Sequence, residues 1–335
     1  MNADPLSDLL RSVHLRGAIF YYVSFRDDWV GETPGSRELA EALMPGAEHV
    51  MAYHLIVHGE GWVATSGESP VRFTSGDLLM FPRGDGHVLS SAPGMRARRD
   101  DSDWRFTTRN QPKPIVVSYH DGVLRPGEAV AVDDASAVVI CGFITCDLKP
   151  FNPLIGALPR LLHLKAEGVG AWVAAALDQA VAESRSARAG SAAVLERVSE
   201  MIFVDAARRY LESMPDDASG WLAALRDRHV GRAIGLIHDR PAEQWTVEEL
   251  GRQVGLSRSA LHERFMQLVG QPPMQYLAHW RAQRGARLLR ESHATVAAIA
   301  QEVGYASEAA FSRAFKRMVG QPPAAWRRVQ GKLHD

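Results

Sequence analysis

Four side chains in the first half of this chain could hold a soft metal or carry thiol chemistry: His54, His87, Cys141 and Cys146. Two imidazoles and two thiolates suit tetrahedral zinc. The C-x4-C spacing is wider than the usual C-x2-C, and a regular strand would turn residues 141 and 146 to opposite faces. A bulge at Gly142 would bring them together. The same thiols could instead meet oxidants or electrophiles, which needs a nearby positive charge to lower a thiol pKa. Alternatively both are small buried hydrophobes, as most unbridged cysteines are. The residues alone leave the three readings open. A second set lies near the end: Arg258, Ser259, His262 and Glu263, then Ser307, Glu308, Ser312, Arg313 and Lys316. Arginine and lysine can reach guanine edges or phosphates, and serine can bond either base or phosphate.

The second set sits in a repeat. Residues 254–273 read VGLSRSALHERFMQLVGQPP and residues 303–323 read VGYASEAAFSRAFKRMVGQPP. Two copies are too few for a solenoid, so they read as one functional unit used twice. Thr246 with Glu249 three residues on is a capping box that opens a short helix. That helix ends at Gly255, where a left-handed residue costs least. Ser257 then caps a helix over 258–269 that stops before Gly270 and Pro272-Pro273. Leu261, Phe265, Leu268 and Val269 recur at helical spacing and predict its buried stripe. Arg258, Ser259, His262, Glu263 and Met266 are left outside. In the second copy Thr295 opens 296–303 and Ser307 caps 308–319. Phe311, Phe315, Met318 and Val319 then face inward, leaving Glu308, Ala309, Ser312, Arg313 and Lys316 outside. Arg264, Arg317, Arg327 and Arg328 read as phosphate contacts or solvated charge. A short helix, a Gly-containing turn and a second helix with a polar outer face match a DNA-reading module.

Residues from about 230 to 330 resemble the DNA-binding domain of the AraC/XylS family of transcription regulators. The residues that carry the resemblance include Trp245 to Leu250, Val254-Gly255-Leu256-Ser257, Gly270-Gln271-Pro272-Pro273, Phe311 to Lys316 and Gly320-Gln321-Pro322-Pro323. The resemblance implies two helix-turn-helix units joined by one long helix, here Met274 to Arg290. That helix is expected to set the two reading helices about one DNA turn, roughly 34 Å, apart on one face.

Upstream, strand-like runs at 17–23, 50–57, 61–65, 71–73, 77–82, 86–90, 115–119, 129–132 and 136–146 are separated by Gly/Pro turn clusters, which favours a sandwich or barrel. The segment from Gly94 to Pro114 is rich in Arg and Asp and reads as a long loop. Gly76 to His87 fits G-x5-P-x-G-x2-H. With Phe151 to Ile155 and Leu158 to His163, this makes residues 5–165 similar to the cupin sensor domains fused to many AraC-type regulators. The resemblance implies an inward-facing His87 at a cupin metal-ligand position. His54 shares a strand face with Ala52, which stands where the metal-binding Glu of a catalytic cupin would be. The first cupin motif, with its two His and Glu, is missing, and a catalytic iron site is not carried over. Some regulators of this kind sense reactive chlorine or other electrophiles through cysteine, a role open to Cys141 and Cys146.

From about 168 the composition turns Ala-rich, predicting helices over 169–188 and 192–212. Val194, Val198, Met201, Ile202, Ala206 and Tyr210 form a stripe in the second. It packs either on its own sensor domain or on a second copy, and the resemblance implies a homodimer. From residue 228 onward there are 16 Lys and Arg against 9 Asp and Glu; before it, 22 against 30. A basic end on an acidic remainder suits a polyanion at one end only. The longest apolar run, 135–146, is too short to span a bilayer. Two cysteines and no visible secretory signal indicate a reducing, cytoplasmic setting.

The expected architecture is α+β and multidomain: a cupin-like β-barrel sensor over 1–165, a helical linker or dimerisation segment over 166–227, and an all-α double helix-turn-helix domain over 228–335. The expected function is a transcription regulator, by family default an activator. Its partners would be double-stranded promoter DNA, RNA polymerase, an unidentified effector and a second copy, with zinc as a candidate cofactor. The alternative is a cupin-type metal-dependent enzyme tethered to DNA.

Overall fold

The computed structural model describes residues 4–97, 115–120, 123–128, 130–166 and 189–331, with 175, 176, 179, 182 and 183 between the last two blocks. Most of the expected helix over 169–188 and most of the expected loop over 94–114 lie outside the described residues; 175, 176, 179, 182 and 183 are helical. The described chain forms two compact units. One comprises 15–146 and 158–210; the other comprises 1–14, 147–157 and 211–335. This differs from the expected boundaries, because both the N-terminal helix and the segment after the last long strand belong with the helical unit.

The strands are β1 (Arg16–Phe25), β2 (Val30–Thr33), β3 (His49–Thr65), β4 (Val71–Thr74), β5 (Leu78–Phe81), β6 (His87–Ser90), β7 (Ile115–His120), β8 (Val123–Pro126), β9 (Ala137–Cys146) and β10 (Leu162–Leu164). The helices are α1 (Pro5–Ser12), α2 (Ser36–Leu43), α3 (Pro153–Ala157), α4 (Ser191–Ser213), α5 (Trp221–Arg226), α6 (Val230–Asp239), α7 (Val247–Val254), α8 (Arg258–Val269), α9 (Pro273–Glu291), α10 (Val296–Glu302), α11 (Glu308–Val319) and α12 (Pro323–Gly331).

In the first unit the strand order is β10-β5-β3-β9-β1-β7-β8, and β2, β6 and β4 join through the far half of β3. The 17-residue β3 therefore serves two sheets: residues 52–55 pair with β5, while 60–65 pair with β4 and β6. The two expected runs, 50–57 and 61–65, are this one strand. The sequence did not single out β2, β8, β10 or α2. The run expected at 129–132 has a 3-10 turn at Val132–Asp134 instead, and residue 129 lies outside the described residues. Alternate residues of β1, β3, β7 and β9 (Tyr21, Val23, Val50, Ala52, Ile56, Val117, Val139 and Phe143) point into one core, which is the period-2 signature of a curled sheet filled on its inner side.

α4 lies on this sheet by a face that overlaps the expected stripe only in part. Ile202 and Ala206 of the stripe are buried together with Leu195, Ser199 and Phe203, whereas Val194 and Met201 are 39% and 50% exposed. The hydroxyl of Ser199 bonds the Tyr53 hydroxyl at 2.7 Å and the Leu195 carbonyl at 2.8 Å. A satisfied serine can be buried at little cost, and a purely hydrophobic pattern does not select it.

The helical unit is built on α9. Its first half (Tyr276, Leu277, Trp280) is buried, with Phe265 of α8 packed edge-on to Tyr276. Its second half (Ala282, Ala286, Leu289) packs with Ile299, Val303, Phe311 and Phe315. Between these lies Gln283, 1% exposed. Its amide nitrogen donates to the Ser12 carbonyl at 2.8 Å, and its oxygen accepts from the Phe151 N–H at 3.0 Å. Arg290 pairs with Asp147 at 2.5 Å. These bonds are why residues 1–14 and 147–157 go with this unit.

Candidate functional site

Both helix-turn-helix copies form as the caps predict. Thr246, Ser257, Thr295 and Ser307 each accept an N–H three residues on, at 3.1 to 3.2 Å, which satisfies a donor the helix cannot. Gly255 stands at φ 76°. One detail differs. Glu249 does not close the capping box but bonds Arg252 and Gln253. The inward residues are as expected: Leu261, Phe265, Phe311 and Phe315 are fully buried.

The outer faces are exposed. On α8 these are Arg258, Ser259, His262 and Glu263, with Met266; on α11 they are Glu308, Arg313 and Lys316, with Ser312 half-buried. Ser307 is exposed, and its hydroxyl is engaged in the cap. Arg258 pairs with Glu248 at 3.2 Å, and the Ser259 hydroxyl lies 3.2 Å from that of Ser257. Among the described residues no ion pair engages Arg313 or Lys316. Two arginines expected as phosphate contacts or solvated charge bond within the unit. Arg264 makes a fork to Asp227, at 2.8 and 2.5 Å, and Arg327 donates to the carbonyls of Leu289 and Ala294.

In the sheet unit, three of the four proposed donors meet. His54 on β3 stands opposite Cys141 on β9 in the strand register, and both point inward with their neighbours Ala52, Ile56, Val139 and Phe143. His54 Nδ1 is 3.1 Å from Cys141 Sγ, and His54 Nε2 is 2.7 Å from His87 Nε2. His87 Nδ1 is 3.0 Å from the Asp85 carbonyl, and the ring stacks on Phe81 at 3.4 Å. Burial holds His54 well below the usual imidazole range, with His87 beside it adding to the effect. It lowers His87 to about 4, and pushes the Cys141 thiol up to about 12. All three are thus neutral near pH 7.

Cys146 is not part of this group. It pairs in register with His49, five residues along β9, a run of about 16 Å at the usual rise per residue. The bulge expected on β9 at Gly142 is on β1, between Ile19 and Tyr21. Gly142 has another reason: a Cβ there would come within 2.1 Å of the Tyr53 ring. Cys141 and Cys146 therefore keep opposite faces. The four-ligand zinc set is not assembled. His54 turns one nitrogen to Cys141 and the other to His87, so in this arrangement the three donor atoms do not converge on one point. Among the described residues no cluster of three or more His, Cys, Asp or Glu could hold a metal.

His54 and Cys141 form part of the wall of a cavity of about 60 Å³, otherwise largely apolar, with Val23, Val117 and Val139 among its lining. It shares Glu32 and Thr33 with a more open hollow of about 360 Å³ that reaches His87. The Asp85 turn is gripped from β10's approach: Arg160 donates to Asp85 at 2.8 Å.

The cupin family matches residues 4–212 and a helix-turn-helix domain family residues 250–329. An AraC-like transcription regulator of Streptomyces lividans is 31% identical over 97% of this chain and 98% of its own. The chain belongs to the AraC-like transcription regulators. The HTH-type transcriptional regulator AlkR of Acinetobacter baylyi is 26% identical over 97% of this chain and 99% of its own. The DNA-binding domain of AdpA, solved with a target DNA, is 31% identical over 31% of this chain and 92% of that chain, with a TM-score of 0.30.

This regulator therefore binds DNA through its helix-turn-helix domain, and among the described residues no helix is long and apolar enough to cross a membrane. Glu32, Thr33 and Arg160 escaped the sequence reading. β2 is only four residues long and follows the polar turn at 26–28, and no short-range signal ties Arg160 to Asp85.

Proposed function

We propose that this regulator reads promoter DNA with α8 and α11 and that a signal received in the cupin-like cavity changes its promoter occupancy. The observation that carries the second half is the cavity itself, a largely apolar hollow with two convergent polar side chains, His54 and Cys141, in its wall. Such a pocket is the default place for a small ligand. The signal acts by favouring one state of the protein over another, so its effect is bounded by its differential affinity for the two.

On the DNA side, Arg313 and Lys316 of α11 and Arg258, Ser259 and His262 of α8 make the contacts, with Glu263, Ser312 and Glu308 at their edges. α9 spaces the two helices at about one DNA turn, roughly 34 Å. The chain acts as a homodimer and activates by recruiting RNA polymerase; sedimentation at micromolar concentration and a run-off transcription assay check these two points. The signal reading is tested with a reporter on a promoter that the chain binds. Val117→Trp fills the cavity. The filled variant is expected to keep operator binding while losing the reporter's response to compounds that move the wild type. A variant that responds like the wild type would overturn the reading.

A further inference from the structure

The two helix-turn-helix copies touch each other directly, and Arg281 of α9 stands at the contact. Its Nε donates to the Pro241 carbonyl at 2.7 Å and its Nη2 to the Glu243 carbonyl at 2.8 Å. Both carbonyls belong to the turn that leads into Thr246 and α7 of the first copy. The same guanidinium lies over the ring of Tyr305, 5.7 Å from its centroid, within reach of a cation–π contact. Tyr305 is in the turn of the second copy and packs on the buried Phe311 of α11. Gln244 adds a second tie, its amide nitrogen donating to the Gly304 carbonyl at 3.2 Å. Gly304 stands at φ 91°. A Cβ there would lie 2.6 Å from Ala242 Cα and 2.9 Å from both the Pro241 oxygen and Arg281 Nη2. Glycine alone meets both conditions.

The turn that Arg281 grips is closed on itself. The Glu243 N–H donates to the Arg240 carbonyl at 3.2 Å, the Trp245 N–H to the Glu243 carbonyl at 2.9 Å, and the Trp245 indole N–H to the Arg240 carbonyl at 3.0 Å. It therefore presents a preset pair of acceptors, which a planar fork meets in one orientation. Apolar packing does not do the same task. Among the described residues, the core of the second copy, from Ala282 to Trp326, holds none from the first. Without the Arg281 contact, the relative tilt of the copies would follow the bending of α9, a 19-residue helix. Nor is Arg281 placed as a phosphate contact, since its Nε and Nη2 are engaged by backbone carbonyls.

We propose that Arg281 is a positioning residue for DNA reading. By tying the turn before α7 to the turn before α11, it makes α8 and α11 one rigid reader that accepts a single spacing between its two stretches of DNA. The inference rests on the reading that both helices contact DNA. One added base pair shifts a stretch by about 3.4 Å and rotates it by about a tenth of a turn. A rigid pair cannot follow that change. A stiff link of the right span also raises the effective concentration of the second helix at its stretch, whereas a loose one dilutes it over many geometries.

The test uses the full chain and duplexes taken from a promoter that it binds. The two protected stretches are kept at native spacing, separated by one inserted base pair, or reduced to one by scrambling the other. The wild type should bind the native pair about 100-fold more tightly than either single stretch, and the insertion should remove most of that advantage. Arg281→Ala should lose about tenfold at native spacing while binding each single stretch like the wild type. It should also bind the inserted duplex as well as the native one. Arg281→Lys keeps the charge and the stem without the fork, and Gln244→Ala removes only the second tie. Both should relax the spacing in the same direction by less, and they carry the measurement if Arg281→Ala fails to fold. On a single stretch, the slope of log affinity against log salt should not change, whereas loss of a phosphate contact would reduce it by about 1. An insertion penalty as steep in every folded variant as in the wild type would overturn the inference and leave the two-helix reading in place. Weaker binding of folded Arg281→Ala to the single stretches would also overturn it, by making Arg281 part of the DNA contact or of one copy's fold. A wild type that binds single and paired stretches alike would instead remove the two-helix reading itself.

Discussion

The two reading helices have the same plan and different charge. α8 offers Arg258, Ser259, His262 and Glu263, and its arginine is already paired with Glu248 of the preceding helix. Its next arginine, Arg264, is held by Asp227. α11 offers Arg313 and Lys316, neither in an ion pair among the described residues. The repeat has kept the caps and the buried stripe in both copies, while the turn is one residue longer in the second and the outer face differs. If both helices dock as proposed, α11 is expected to be the stronger electrostatic contact and α8 to contribute mainly directional hydrogen bonds and discrimination, since phosphate contacts position while base contacts specify.

The comparison can be broken most severely through the core of the second copy. Phe311 is fully buried among Ala282, Ala286 and Ile299, and Phe311→Ala should cost about 3 to 5 kcal/mol of stability. Thermal melting should then show the helical unit destabilised, with specific DNA binding lost. Arg313→Ala should cost about 1 to 3 kcal/mol of specific affinity and relax the preference at one base position. Titration against a set of single-base operator variants reads both effects. Ser257→Ala and Ser307→Ala should each cost about 1 kcal/mol of stability. Equality between them would show that the scaffold, unlike the face, is shared. Lys316→Ala should weaken all sequences alike and reduce the salt slope by about 1. The smallest effect has the opposite sign. Glu248→Ala releases Arg258 and should tighten binding by about 0.5 kcal/mol, the scale of an exposed ion pair. A loss of affinity there would mean that the pair orients Arg258 for DNA.

The helical unit was largely legible because its signals are local. Thr246, Ser257, Thr295 and Ser307 cap where they stand, and the stripe residues recur every three or four positions. The sheet unit was legible only in part. His87 follows from a motif within twelve residues, whereas the His54–Cys141 contact depends on β3 pairing with β9, and no local pattern reports such a register. Alternation along β9 already placed Cys146 on the far face; the error was in allowing a bulge at Gly142, whose missing side chain instead makes room for Tyr53. In α4 the pattern caught Ile202 and Ala206 but missed Ser199, which is buried through its hydrogen bonds. Residues 1–14 and 147–157 were assigned by sequence order, while the buried amide of Gln283 and the Arg290–Asp147 pair tie them to α9.

The most direct measurement is a hydroxyl-radical footprint of the full chain on a promoter it binds, repeated with Arg313→Ala. Two protected stretches on one face of the duplex are expected, centred about one helical turn (10 to 10.5 base pairs) apart, and Arg313→Ala should fade one of them while the other persists. A single protected stretch, or two on opposite faces, would contradict the use of both helices as a pair.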